Sequence, residues 1–382
     1  MEAVLKLGPV ACRGHRRPKG GIVGSAEPET RSVDPCRIRA AWQGRISGCL
    51  LGKPLEVLSF HEGPNAVRRH LQQACAVPLR DYVPLLDAIP STTLGGTCCR
   101  GHIERAEPDD DIDYTLLALM LVEERGADFG TEDVARAWLR LLPAGAVWTA
   151  ERAAYRTLLN RMAEQFVNGE AAGFDLGECS DNEFNEWIGA QIRADLYGWI
   201  CPGRPALAAE LARRDATLSH RGDGVHAAAF VAALAATLPT CTDLDSALDA
   251  ALAQVPADSG VAAGVRFGRS IAGTADAVTR LHRHFEGLSP LHAVNNLALV
   301  VWALCAHAGD FSATVGEAVS AGWDTDCNGA TVGGLCALSG APIEAHWTRP
   351  WQGRIGTRLA GHAELGLDDV VRRTVDAAGM IA

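Results

Sequence analysis

Two long alanine-rich apolar runs, His226 to Leu238 and Ala293 to His307, constrain most strongly what this chain can fold into. Alanine and leucine lose little side-chain freedom in a helix, and neither run has the succession of β-branched residues that a strand favours. Helix-start signals recur elsewhere: Thr131 with Glu132 and Asp133, Thr242 with Asp243 and Asp245, and Ser289 with Pro290. Pro256 closes the run that reaches Ala253. Strand signals are almost absent, and no repeat of about 20 to 50 residues marks a solenoid. The expectation is an all-α single domain of about a dozen or more tightly packed helices.

Residues 1–37 carry Arg13, Arg16, Arg17, Lys19, Pro18 and Pro28 without periodicity. Such a segment buries too little apolar area to offset its ordering entropy, so a flexible tail is expected ahead of a domain at 38–382. At 48% hydrophobic and 21% charged, the 382 residues have an ordinary soluble composition. The net charge of −11 argues against non-specific nucleic-acid binding, which needs many Lys and Arg against phosphates. No apolar run reaches the ~20 residues that span a bilayer, and Glu2 and Lys6 interrupt what would be a signal core. The twelve cysteines form no C-x-x-C pair, and Cys49, Cys305 and Cys336 stand in apolar runs. A reduced, cytoplasmic protein without membrane association is expected. Adjacent Cys98 and Cys99 read as two loop thiols or as a redox pair.

Two acidic clusters stand out. Asp109-Asp110-Asp111-Ile112-Asp113 runs directly into the apolar stretch from Leu116, so its acids fall at a helix start, where free amides favour negative charge. It reads either as a solvated acidic cap or as carboxylates that a cation compensates. Asp324-Thr325-Asp326 likewise precedes a helix, one rich in small residues from Gly329 to Gly334. Oxygen-rich ligands from two distant positions suit a pair of Mg²⁺ or Mn²⁺ ions. Gly44, Ser47, Gly48 and Gly52 would let another backbone approach the helix that Pro54 stops, leaving Glu56 just beyond its end. His220 after Ser219, the amides Asn295 and Asn296, and Arg193 after Gly189 each read as structural or as ligand-binding.

With these pieces placed, the sequence resembles the ADP-ribosylglycohydrolase family, which includes ADP-ribosyl-acceptor hydrolases, dinitrogenase reductase-activating glycohydrolase and the J1 crystallins. Gly48 to Glu56 is similar to its early glycine-rich helix ending in Glu, Asp109 to Thr115 to its Thr-Asp-Asp-Thr motif, and Gly322 to Gly333 to its Gly-x-Asp-Thr-Asp motif. Gly189 to Arg193 and Ser219-His220 resemble two shorter elements, and the likeness runs from about Trp42 to His362. It implies an orthogonal helical bundle with two Mg²⁺ ions, or Mn²⁺, in a central cleft. Asp110, Asp111, Asp324 and Asp326 would be metal ligands, with Asp109 in the place of a ligating Thr and Cys327 in the place of another. Asp111 or Glu56 would take the proton of the attacking water. Gly189, Arg193 and His220 fall where the diphosphate is held, and Asn295 and Asn296 lie on a helix lining the cleft. Lys53 and Pro54 shorten the family's Gly-Asp-Ala run, and Ile112 replaces a Thr.

The implied activity is metal-dependent hydrolysis of an N- or O-linked ADP-ribosyl or smaller ribosyl group on a protein, nucleic-acid or small-molecule acceptor. Two rivals stay open. One is a non-catalytic ADP-ribose-binding or structural member. The other is a Mg²⁺-dependent isoprenoid-diphosphate enzyme, because Asp109 to Asp113 also has Asp-Asp-x-x-Asp spacing, although no second helix with Asn, Ser and Glu at four-residue intervals accompanies it.

Overall fold

The computed structural model describes residues 33–86, 96–161 and 164–381, so most of the expected tail lies outside the described residues. The first helix starts ahead of residue 38. Helix α1 spans Pro35–Gly52, because Asp34 accepts the Cys36 amide at 2.9 Å and Pro35 has the φ that a first helical position needs. Pro54 then ends it in a 3₁₀ turn, Lys53–Leu55, and the chain continues as α2 (Glu56–Glu62) and α3 (Pro64–Gln73).

The acidic stretch opens α4 (Asp110–Arg125), followed by α5 (Thr131–Leu141), α6 (Thr149–Arg161) and α7 (Glu164–Val167). A 3₁₀ segment, Ile188–Arg193, leads into α8 (Asp195–Trp199), α9 (Pro205–Ala216) and α10 (Gly222–Thr237). Next come α11 (Leu244–Leu252), α12 (Gly260–Ile271), α13 (Ala277–His284) and α14 (Ala293–Ala306). Helices α15 (Phe311–Ser320), α16 (Thr325–Leu338), α17 (Ala345–Thr348) and α18 (Leu367–Ile381) complete the chain. One small antiparallel pair, Arg354–Gly356 with Glu364–Gly366, is the sheet among the described residues. The fold is all-α, as expected.

One helix start moves. The Ser289-Pro290 signal makes a turn instead, with Ser289 accepting the amides of Leu291 and His292, and the helix begins at Ala293 with His292 Nδ1 as its cap. The two alanine-rich runs become α10 and α14, buried over most of their length on all sides, as helices at the centre of a bundle must be.

The pairing that matters for function is α1 with α16. Neither has a one-sided apolar stripe; both are small-residue helices pressed backbone to backbone. A Cβ on Gly48 would lie 1.9 Å from the Gly329 carbonyl oxygen, one on Gly44 2.2 Å from that of Gly333, and one on Gly52 2.2 Å from that of Thr325. The contacts step by four along both helices in opposite senses, so the C-terminal end of α1 lies against the N-terminal end of α16. There Thr325 Oγ1 donates to the Gly52 carbonyl at 2.8 Å. Among the described residues no helix is long and apolar enough to cross a membrane.

Candidate active site

Three helix ends converge. Asp109 caps α4: it is extended (φ −146°, ψ 152°), and its Oδ1 accepts the Asp111 amide at 3.1 Å. Its other oxygen, Oδ2, meets Lys53 Nζ at 2.5 Å. The same ammonium lies 3.1 Å from Asp326 Oδ2 on the first turn of α16 and 3.2 Å from Glu56 Oε2 at the start of α2. Burial pushes the Asp109 carboxyl up, but the Lys53 ammonium outweighs it and holds the group down at about 2. The Lys53 ammonium is likewise held well above its usual value, burial being outweighed by Asp109, Asp326 and Glu56. Glu56, Asp110, Asp111 and Asp324 are pushed up, first by burial and then by their carboxylate neighbours.

Behind this layer lies Arg45, fully buried on α1. It contacts Asp111 Oδ1 at 3.2 Å and Asp195 Oδ2 at 3.0 Å, and donates to Thr115 Oγ1, to the Asp111 carbonyl and to the Ile192 carbonyl. Arg45 within α1 and Lys53 one residue past its end thus bring two cations, eight residues apart, to the acid clusters. That spacing is visible in the sequence, but reading the helix for its glycines alone passes over it.

Asp324 follows a turn that residues with positive φ make, Gly322 (87°) and Trp323 (58°). Asn296 fixes this turn: its Oδ1 accepts the Asp324 amide at 3.3 Å and Asn328 Nδ2 at 2.8 Å, while its Nδ2 donates to the carbonyls of Pro290 and His292. Asn295 donates to the Ser289 carbonyl at 3.3 Å. Both amides are fully buried and position the loop behind the cleft rather than lining it.

The cleft is a cavity of about 560 Å³. Glu56, Asp109, Asp110, Asp324, Asp326, Cys327 and Gly189 face it; Asp111 lies beneath its wall. Phe60, Trp187 and half-exposed Trp148 supply flat apolar surface, with the Arg152 guanidinium 4.6 Å from the Trp148 ring centre. Thr149, next to Trp148, has φ of 38°, an uncommon conformation for a β-branched residue.

Arg193 sits elsewhere than expected. It is buried, and its guanidinium is consumed by Asp215, by Glu151 Oε1 at 2.6 Å, by Ser219 Oγ at 2.8 Å and by the Gly189 and Asp215 carbonyls. His220 packs behind it, with Nδ1 2.8 Å from Ser219 Oγ, and burial, with the Arg193 charge beside it, pushes its pKa well below the usual value. Neither residue lines the cavity; the cations on its described wall are Lys53 and Arg358. Asp113 also turns away, accepting the Arg358 amide at 3.1 Å. Asp109, Asp110 and Asp113 therefore do not converge as an isoprenoid-diphosphate site would require.

The oxygens present fit a hard divalent cation. Asp111 Oδ2 and Asp324 Oδ1 are buried and have no hydrogen-bond partner among the described residues, a costly state for a carboxylate unless a cation meets it. Asp111, Asp326 and Cys327 offer ligand atoms within 4.8 Å of one another, as do Glu56, Asp324 and Asp326.

A family model described as ADP-ribosylglycohydrolase matches residues 31–376. The fold is also similar to that of a solved structure titled "ADP-ribosylglycohydrolase-related protein complex", with a TM-score of 0.53 at 20% identity, covering 91% of this chain and 99% of that one. No curated protein sequence matches the chain.

Proposed function

The chain belongs to the ADP-ribosylglycohydrolase family, and on that premise we propose that it is a metal-dependent hydrolase of the glycosidic bond of an ADP-ribosyl or smaller ribosyl group. One observation carries this reading: carboxylates from four remote stretches of chain, at Glu56, at Asp109 and Asp110, at Glu151, and at Asp324 and Asp326, face a single cavity of about 560 Å³, a size suited to a small ligand. Cleavage through an oxocarbenium-like state needs negative charge near the ribose and a base for the attacking water. Glu56 suits the base: it faces the cavity, its side chain is 25% exposed, and its raised pKa brings proton exchange closer to neutral pH. Asp111, beneath the wall and tied to Arg45, suits a supporting role.

Mg²⁺ or Mn²⁺ held within the Asp111, Asp326 and Cys327 group would supply positive charge to ribose hydroxyls and lower the pKa of a bound water. Arg358 is the wall cation best placed for a phosphate, since Lys53 is engaged by three carboxylates. Trp148, Trp187 and Phe60 offer a stacking surface to a base or leaving group.

The test is release of ADP-ribose or free ribosyl product from a panel of N- and O-ribosylated proteins, nucleic acids and metabolites, with Mg²⁺ and with Mn²⁺. Turnover on at least one member is expected, with Glu56→Gln lowering kcat by about 10² to 10⁴. ADP-ribose binding without turnover anywhere in the panel would make the protein a binder and end the hydrolase reading.

A further inference from the structure

We propose that the Lys53 ammonium is a resident cation occupying one of the two positions that a binuclear centre would use, so that the site takes a single divalent ion. An ammonium has three donors, and this one faces three carboxylates from three separate elements: Asp109 Oδ2 at 2.5 Å, Asp326 Oδ2 at 3.1 Å and Glu56 Oε2 at 3.2 Å. The backbone that carries it is held between rigid neighbours. Lys53 directly follows Gly52, where α1 touches α16 with no room for a side chain, and it precedes Pro54. The charge therefore sits between the α4 and α16 acid clusters, on two of the three members of the Glu56, Asp324 and Asp326 group that would otherwise share an ion. A divalent ion placed there as well would face a like charge at contact distance.

The opposite side of the cluster is different. Asp111 Oδ2 and Asp324 Oδ1, on side chains that are almost wholly buried, have no partner among the described residues. Asp326 spans the two sides, with Oδ2 on Lys53 and ligand distance to both Asp111 and Asp324 groups. Among the described residues three groups lie close enough to share an ion; Lys53 already engages Asp109 of the Cys49, Asp109 and Asp111 group and both Glu56 and Asp326 of the Glu56, Asp324 and Asp326 group, which leaves Asp111, Asp326 and Cys327 for a single metal.

The inference rests on the hydrolase reading only in taking this cavity as the site, and its test needs no substrate. Mn²⁺ alone is titrated into the full chain, with bound metal counted by elemental analysis and inspected by electron paramagnetic resonance. The expected result is one Mn²⁺ per chain with an uncoupled six-line spectrum. In Lys53→Met a second ion and a spin-coupled spectrum are expected, whereas Lys53→Arg, which keeps the charge, stays at one. Two ions in the wild type, none in the wild type, or a single ion in a folded Lys53→Met overturns the proposal; should Lys53→Met not fold, the wild-type count decides. Two ions together with turnover would overturn this proposal alone, and one ion without turnover on any ribosylated substrate would overturn the hydrolase reading alone.

Discussion

Arg45 joins two carboxylates, Asp111 and Asp195, in a region with no solvent access. Removing the guanidinium leaves both acids desolvated without a counter-charge. Arg45→Met is expected to lower unfolding free energy by about 3–5 kcal/mol in urea titrations, even though Met fills similar space. Asp195 gives a pH dependence whose sign is fixed. Burial raises its carboxyl to about 6, against the opposing pull of Arg45, while in the unfolded chain it titrates near ~3.9. The folded state then holds the proton more tightly, so this group's contribution is full below about pH 4 and is lost as pH rises through about 6. Wild type should gain stability relative to Asp195→Asn on lowering the pH from about 6 to about 4, by about 2 kcal/mol. Denaturant midpoints of the two proteins across that range give the difference.

At the scale of elements, the α1–α16 contact decides whether the site exists. Gly48→Ala puts a methyl group into the Gly329 carbonyl and is expected to cost about 1–3 kcal/mol or more. By parting the two helix ends it should also weaken Mn²⁺ binding. Gly379→Ala is the control: it lies in α18, its Cβ would meet nothing within 4 Å, and the better helix former should leave stability equal or up to ~1 kcal/mol higher. Much of this element was legible in the chain. The small-residue runs around Gly48 and Gly329 each announced a close approach, and the two acid clusters announced helix starts. What the sequence does not carry is the pairing itself, because a glycine specifies closeness without naming its partner. Lys53 shows the same limit: in sequence it is one residue after a helix, and only the meeting of three helix ends makes it the hub of three ion pairs. Arg193 errs the other way, since an arginine with phosphate-binding geometry is equally suited to the buried acids Glu151 and Asp215 that claim it.

Over the whole molecule the cavity is assembled from segments spread between Cys49 and Arg358, with acids and aromatic rings both in its wall. Trp148→Ala is expected to raise KM by about tenfold or more with little change in kcat, as loss of a stacking surface worth about 1–3 kcal/mol would. Steady-state kinetics on whichever ribosylated substrate turns over separates that outcome from loss of the chemistry itself. The antiparallel contact of Gly52 with Thr325 has a further consequence in time. On a chain made from its N-terminus, α1 waits for a partner about 270 residues downstream, and contacts that distant close late. Until the segment from Asp324 emerges, Lys53 can neutralise Asp109 and Glu56 but not complete its third ion pair. The order of synthesis thus leaves this cavity as one of the last parts of the molecule to become whole.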